Sequence, residues 1–200
     1  VGYRAEWLRH DGKGTRHLEV ILHAFDREVR PDRPVRLLEV GVENGGSMEV
    51  WEKVLPPGSE VLGIDRDRRC ATIGVPVLTG DVHDQRWLRE ALAGQRFDVI
   101  VQDTGTQPEP GLWPFLSTGG LFIVEGQYPE WGMGLAGALL DGDSWLPAEE
   151  VLRVTCWPGA LVVEKRHPRA VPYLEVVIGE EYPLVSAEDM QAAGIKRVLP

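Results

Sequence analysis

The stretch Leu37-Leu38-Glu39-Val40-Gly41-Val42-Glu43-Asn44-Gly45-Gly46-Ser47 decides the fold, because an apolar run passes through a glycine turn into a segment suited to a helix. The run as a whole, Val35 to Val40, is what a strand buried on both faces requires. Runs of the same kind recur at Glu60 to Ile64, Val75 to Leu78, Phe97 to Val101 and Leu121 to Val124. Between them lie Ser47 to Leu55 and Gln85 to Ala93, where Trp87, Leu88, Ala91 and Leu92 supply an inner helical face. Strands alternating with helices predict a parallel sheet with right-handed crossovers.

Upstream, Leu18, Ile21, Leu22, Phe25 and Val29 share one face at helical spacing before Pro31 and Pro34 interrupt it, so an amphipathic helix is expected there. Downstream of Glu125 the rhythm changes, and Gly126 to Gly142 is rich in glycine and aromatic residues. Val151 to Cys156 and Ala160 to Lys165 are separated only by Trp157, Pro158 and Gly159, which predicts a hairpin and an antiparallel end to the sheet. A further strand at Tyr173 to Ile178 and a short helix from Ser186 complete the expectation. The whole reads as one α/β domain over residues 1–200, with a helical segment at 1–34, a doubly wound, mainly parallel core at 35–166 and an extension at 167–200.

Composition narrows the partners. A chain of 200 residues with 43% hydrophobic content can bury one sizeable core. Its net charge of -10 leaves no cationic surplus to neutralise a phosphate backbone, so a small molecule is expected rather than nucleic acid. No apolar run approaches membrane-spanning length, and Arg4, Glu6 and Arg9 leave no signal-peptide core, which predicts a cytoplasmic protein away from membranes. Cys70 and Cys156 have neither metal-site spacing nor a disulfide framework around them, and read as reduced, buried thiols. A homo-oligomer is compatible with this composition.

In an open α/β sheet, the crevice at the carboxyl ends of the strands is where ligands bind. Gly41 and Gly45 let a ligand approach the backbone, although a plain tight turn accounts for them equally well. Asp65 ends the second strand, where its carboxylate can accept both ribose hydroxyls of a nucleoside. Asp81 follows the third strand and is placed to accept from an adenine amino group, with Val82 packing on the ring; Asp103 ends the fourth strand. Each acid alone is an ordinary cap or turn residue, but with Glu39 there are four at successive strand ends. The dinucleotide fingerprint Gly-x-Gly-x-x-Gly is absent, because Glu43 stands two positions after Gly41 and would repel a pyrophosphate. S-adenosylmethionine has no phosphate and carries sulfonium and ammonium cations, which suit an acid-lined crevice.

These blocks, with Gly119-Gly120-Leu121-Phe122-Ile123-Val124-Glu125 and Ala160-Leu161-Val162-Val163-Glu164-Lys165, resemble class I S-adenosylmethionine-dependent methyltransferases. More narrowly, they are similar to the bacterial metal-dependent O-methyltransferases that tailor macrolide sugars and other natural products, relatives of cephalosporin hydroxylases. The resemblance implies a seven-stranded Rossmann-like methyltransferase sheet ending in an antiparallel hairpin. It implies cofactor contacts from Glu39, Gly41, Gly45 and Ser47, and from Asp65, Asp81, Val82 and Asp103. The segment Asp11 to His17 is similar to the group's Asp-Lys-Gly-Thr-x-His stretch, which gives Lys13 a place at the cofactor's amino acid end.

The chain departs from that pattern at the reaction centre. The group ends its fourth strand in Asp-Asp-Gly-Ser-His and its fifth in Glu-Asp, supplying three magnesium ligands and a histidine base. Here the matching positions are Asp103-Thr104-Gly105-Thr106-Gln107 and Glu125-Gly126, so only Asp103 and Glu125 remain for a magnesium ion, and Gln107 replaces the base. Three options follow: Asp103 as base with Gln107 orienting the substrate, an acidic phenol or an amine as an acceptor that needs little activation, or loss of methyl transfer; His83 is a second candidate base, with a solvent-facing loop role as its alternative. Trp113, Phe115, Tyr128, Trp131, Met133 and Trp145 form either an apolar wall for the acceptor or part of the core or an interface. The leading functional expectation is O-methylation of a small natural product. Its rival is a methyltransferase fold repurposed for cyclisation or rearrangement, or one that is non-catalytic.

Overall fold

A computed structural model describes residues 33–72, 74–127, 129–157, 159–167 and 175–178 of the chain. The expected helix at Leu18 to Val29, the Asp11 to His17 segment with Lys13, the residue Tyr128 and the helix from Ser186 lie outside the described residues. The first strand, β1 (Arg36–Val40), begins the order β2 (Glu60–Asp65), β3 (Val77–Thr79), β4 (Phe97–Gln102), β5 (Leu116–Gln127), β6 (Val151–Trp157), β7 (Gly159–Lys165) and β8 (Glu175–Ile178). Among the described residues three α-helices join them: α1 (Gly46–Val54), α2 (Gln85–Ala91) and α3 (Pro129–Asp141).

The strands form one sheet in the order β3-β2-β1-β4-β5-β7-β6-β8. The first five are mutually parallel, and β7 pairs antiparallel with both β5 and β6. These are the seven expected strands with their terminal hairpin, and Glu175–Ile178, the described part of a further expected run, supplies an eighth, β8, parallel to β6. Sequential strands run outward from β1 to β3, and the chain then returns to place β4 on the other side of β1. The reversal at β1/β4 is the topological switch point, and there the crossover loops diverge to leave a crevice.

Alternation along the strands explains the two-sided burial. Leu38, Ile100, Phe122 and Val124 face one cluster with Leu88 of α2 and Leu135 and Leu139 of α3. Leu37, Val99, Val101 and Ile123 face the opposite cluster with Val50 and Trp51 of α1. Both faces being covered, the strands need apolar residues at consecutive positions. No helix among the described residues is long and apolar enough to cross a membrane.

Helix α3 was not expected, since its sequence carries Gly132, Gly134 and Gly137, each unfavourable in a helix interior. Leu135, Ala136 and Leu139 are buried on its inner side, so packing outweighs the weak propensity. The structure decides in part between the readings of the aromatic residues, the side chains of Tyr128, Trp131 and Met133 lying outside those described. Trp113 and Phe115 belong to the core, where Trp113 donates its indole N–H to Glu150 at 2.9 Å and carries the Lys165 ammonium 4.9 Å over its ring. Trp145 is exposed but packs edge-on against Phe122 at 6.4 Å between centroids.

Candidate functional site

The tips of β1, β2 and β4 are joined by backbone hydrogen bonds, Gly41 N–H to Ile64 C=O at 2.9 Å and Asp103 N–H to Val40 C=O at 2.8 Å. Gly41 has φ +93°, and a Cβ there would fall 2.1 Å from the Asp103 carbonyl oxygen, so only glycine lets β1 turn away beside β4. Beyond the turn, Gly45 caps α1 in the left-handed conformation and is buried, but it does not line the cleft that opens above. That cleft measures about 980 Å³ and is bordered by the loops after β1, β2, β3 and β4.

Glu39 lies beneath the cleft rather than in its lining. Its carboxylate accepts from the Ser47 hydroxyl, in a very short contact, and from the Trp51 indole N–H at 2.6 Å. A buried carboxylate requires such donors, and these two tie β1 to α1. Ser47, which is expected at the cofactor, does line the cleft while spending its proton on Glu39.

Asp65 holds the loop above. Its Oδ2 accepts from the amides of Val42 at 2.8 Å and Glu43 at 3.0 Å, and its Oδ1 accepts from the amide of Asp67 at 2.8 Å. Burial raises its pKa, but the three amides with the Cys70 thiol outweigh this and hold the carboxyl below the usual aspartate range. Each carboxylate oxygen has about two acceptor sites. Two amides on Oδ2 and one on Oδ1 thus share the acceptor sites that Asp65 offers a ribose with the loop it holds. The same loop forces Glu43 to φ 52°, the one positive value at a non-glycine residue among those described.

The remaining expected residues divide clearly. Asp81, Val82 and Asp103 line the cleft; Asp81 also accepts from the His83 amide at 3.0 Å. Gln107 does not line it. The buried Gln102 side chain donates to the Gln107 carbonyl at 2.9 Å and to Thr104 Oγ1 at 3.0 Å, folding this loop back and leaving the Gln107 side chain exposed. Gln107 therefore stands at the rim of this loop, outside the cleft lining. Glu125 is buried at the end of β5 and is also absent from the lining, and among the described residues no group of three or more acids, histidines or cysteines is placed to hold a metal ion.

Five carboxylates, those of Glu43, Asp65, Asp67, Asp81 and Asp103, line the cleft against the two guanidinium groups of Arg66 and Arg69. Arg69 is committed to Asp67, whose carboxyl it holds down at about 2. The result is a cleft suited to a cationic ligand. The sequence reading missed the group behind its β3 side: the His83 ring, Gln85 side chain and Gly111 amide all converge on the buried Glu109. Pro108-Glu109-Pro110 reads as an ordinary loop, and nothing local to it signals a buried acid.

No family model matches the chain, and no curated protein does. Solved structures do resemble it. The MycE methyltransferase of the mycinamycin biosynthetic pathway, in complex with Mg, SAH and mycinamycin VI, superposes with a TM-score of 0.65 at 19% identity, over 96% of this chain and 55% of its own. The chain thus spans about half the length of MycE. An O-methyltransferase from Bacillus cereus in complex with SAH gives 0.52 at 19% identity, covering 83% of this chain and 91% of that one. TomG from Streptomyces achromogenes, an O-methyltransferase of tomaymycin synthesis in complex with SAM, gives 0.52 at 16%, covering 84% and 91%. The fold of this chain is that of class I S-adenosylmethionine-dependent methyltransferases.

Proposed function

We propose that this chain is an S-adenosylmethionine-dependent methyltransferase that methylates an oxygen of a small molecule, in the manner of natural-product tailoring enzymes. The observation that carries the proposal is the cleft of five carboxylates at the switch point of this fold. Pyrophosphate is disfavoured there by Glu43, whereas two opposite charges 4 Å apart near a protein surface attract by about 4 kcal/mol at an effective dielectric of 20. Asp65 Oδ1 takes a ribose hydroxyl, Asp81 and Val82 border the base, and Asp103 lies toward the cationic amino acid end.

S-adenosylmethionine bound in this cleft supplies a methyl group made electrophilic by its sulfonium. Transfer discharges the sulfonium, so carboxylates facing it favour binding more than reaction. The chain's contribution to rate is therefore orientation, with the Asp103 carboxylate accepting the proton of the attacking hydroxyl. Asp103 and Glu125 do not fit a magnesium site, because Glu125 is buried away from the cleft and no third ligand joins them among the described residues.

Calorimetric titration with S-adenosylmethionine and S-adenosylhomocysteine, each with and without magnesium, tests the reading. Binding of both, indifferent to magnesium, is expected; binding of neither refutes it. Asp103→Asn should retain S-adenosylhomocysteine binding and lower turnover on hydroxyl or phenol acceptors by about 10²-fold or more, the scale of general base catalysis.

A further inference from the structure

Glu43 borders the cleft in a backbone conformation that a glutamate rarely takes. Its φ of 52° lies in the left-handed region, which an L side chain enters at a cost that glycine escapes. The loop holds the residue there through both of its peptide groups. Its amide donates to Asp65 Oδ2 at 3.0 Å, and its carbonyl accepts from the Cys70 thiol at 3.0 Å. Glu43 is exposed on the cleft side, and its carboxylate has no partner among the described residues. Strain kept in place at a ligand cleft is characteristic of residues that the site uses.

The other charges of the cleft are engaged or stand elsewhere. Asp67 is paired with Arg69, Asp65 is shared among three backbone amides, and Asp81 accepts from the His83 amide. Arg66 follows Asp65 on the β2 side. Glu43 lies on the arc between the β1 and β2 tips, and Asp103 lines the cleft from the β4 side. With a ribose at Asp65 and the amino acid end toward β4, the cofactor's sulfur falls between these two carboxylates. Donor and product differ there alone: the electron pair of the broken S–CH3 bond stays on sulfur, and a sulfonium cation becomes a neutral thioether.

We propose that Glu43 makes the cleft charge-selective, so that S-adenosylmethionine is held more tightly than S-adenosylhomocysteine and displaces it after each turnover; this control of product inhibition rests on the cofactor reading above. A carboxylate near sulfur attracts the sulfonium and gains nothing from the thioether. The ribose, base and amino acid contacts are common to both compounds and cancel from the comparison. Selectivity between two ligands is a difference of affinities, and here one side chain supplies the difference. At an open cleft such an attraction is screened by salt.

Calorimetric titration of the wild type, Glu43→Gln and Glu43→Gly with S-adenosylmethionine, S-adenosylhomocysteine and sinefungin tests it, the last carrying an ammonium group where the donor has its sulfonium methyl. The wild type should bind both cationic compounds about tenfold more tightly than S-adenosylhomocysteine. Each variant should narrow that preference severalfold by weakening the cationic compounds alone. Raising the ionic strength from about 0.05 to 0.5 M should narrow it in the wild type, a measurement that needs no variant to fold. Glu43→Gly should also hold or raise Tm, since glycine takes this φ without strain, which separates the charge from a structural role. Equal affinity for donor and product, tighter binding of the product, or a preference undiminished in Glu43→Gln or in high salt would overturn the proposal while leaving the cofactor reading intact. Binding of none of the three compounds would overturn both.

Discussion

Replacement of Asp65 by alanine removes one acceptor group from three backbone amides. The amide of Val42 belongs to a residue only 2% exposed and lies 2.8 Å from Oδ2, so water does not readily take the place of the carboxylate. Losing a charged acceptor at a buried donor costs about 1–3 kcal/mol. Glu43 is exposed and Asp67 half-buried, so their amides regain water and add at most a few tenths. The expected loss of stability is therefore about 1–3 kcal/mol, which for a domain of this size lowers Tm by roughly 2–12 °C. Urea unfolding at neutral pH measures it directly.

The acid dependence supplies a second readout. Because the folded-state pKa of Asp65 lies below its ordinary 3.8, its contribution is fully present above the unfolded value and is lost as pH falls through the folded one. The stability gap between wild type and Asp65→Asn should accordingly be constant above about pH 5 and close in strong acid. The loop also forms the cleft floor, so both variants should bind S-adenosylhomocysteine about tenfold or more weakly. A folded Asp65→Ala protein with unchanged stability and unchanged affinity would refute the reasoning that this carboxylate holds the loop.

Three further outcomes are expected. Gly41→Ala combines a left-handed φ with a Cβ 2.1 Å from the Asp103 carbonyl and should destabilise by about 3–5 kcal/mol in denaturant unfolding, with loss of ligand binding. Trp51→Phe keeps the ring in the core but strips Glu39 of its 2.6 Å donor, and should cost about 2–3 kcal/mol by the same assay. Burial pushes the Cys156 thiol up to about 12, and burial first, then the Asp65 charge, raises that of Cys70; thiol reagents should label neither rapidly in the native protein. Cys70 lines the cleft, so ligand should slow its labelling further while leaving Cys156 unchanged.

The acids at the strand tips were legible because a strand end is a local event: an apolar run stops, a glycine turns, and the next polar residue stands at the crevice. Asp81 and Asp103 could thus be assigned to the cleft from their positions alone. What each acid does there was not legible, since it depends on donors brought in from elsewhere. Glu39 meets Trp51 twelve residues on and disappears beneath the floor, and Asp65 gives Oδ2 to a loop more than twenty residues upstream.

Local pattern thus determined the alternation of strands and helices, the parallel sheet, the closing hairpin and the place of the crevice, because each follows from burial periods and turn residues within short windows. Tertiary packing decided the rest. It made a helix of the glycine-rich Pro129–Asp141 by burying Leu135 and Leu139. It folded the Gln107 loop away through Gln102, and it joined His83 to Glu109 across 26 positions. A hydrogen bond between distant residues leaves no periodic trace in the chain, so its partners become visible only when the backbone has brought them together.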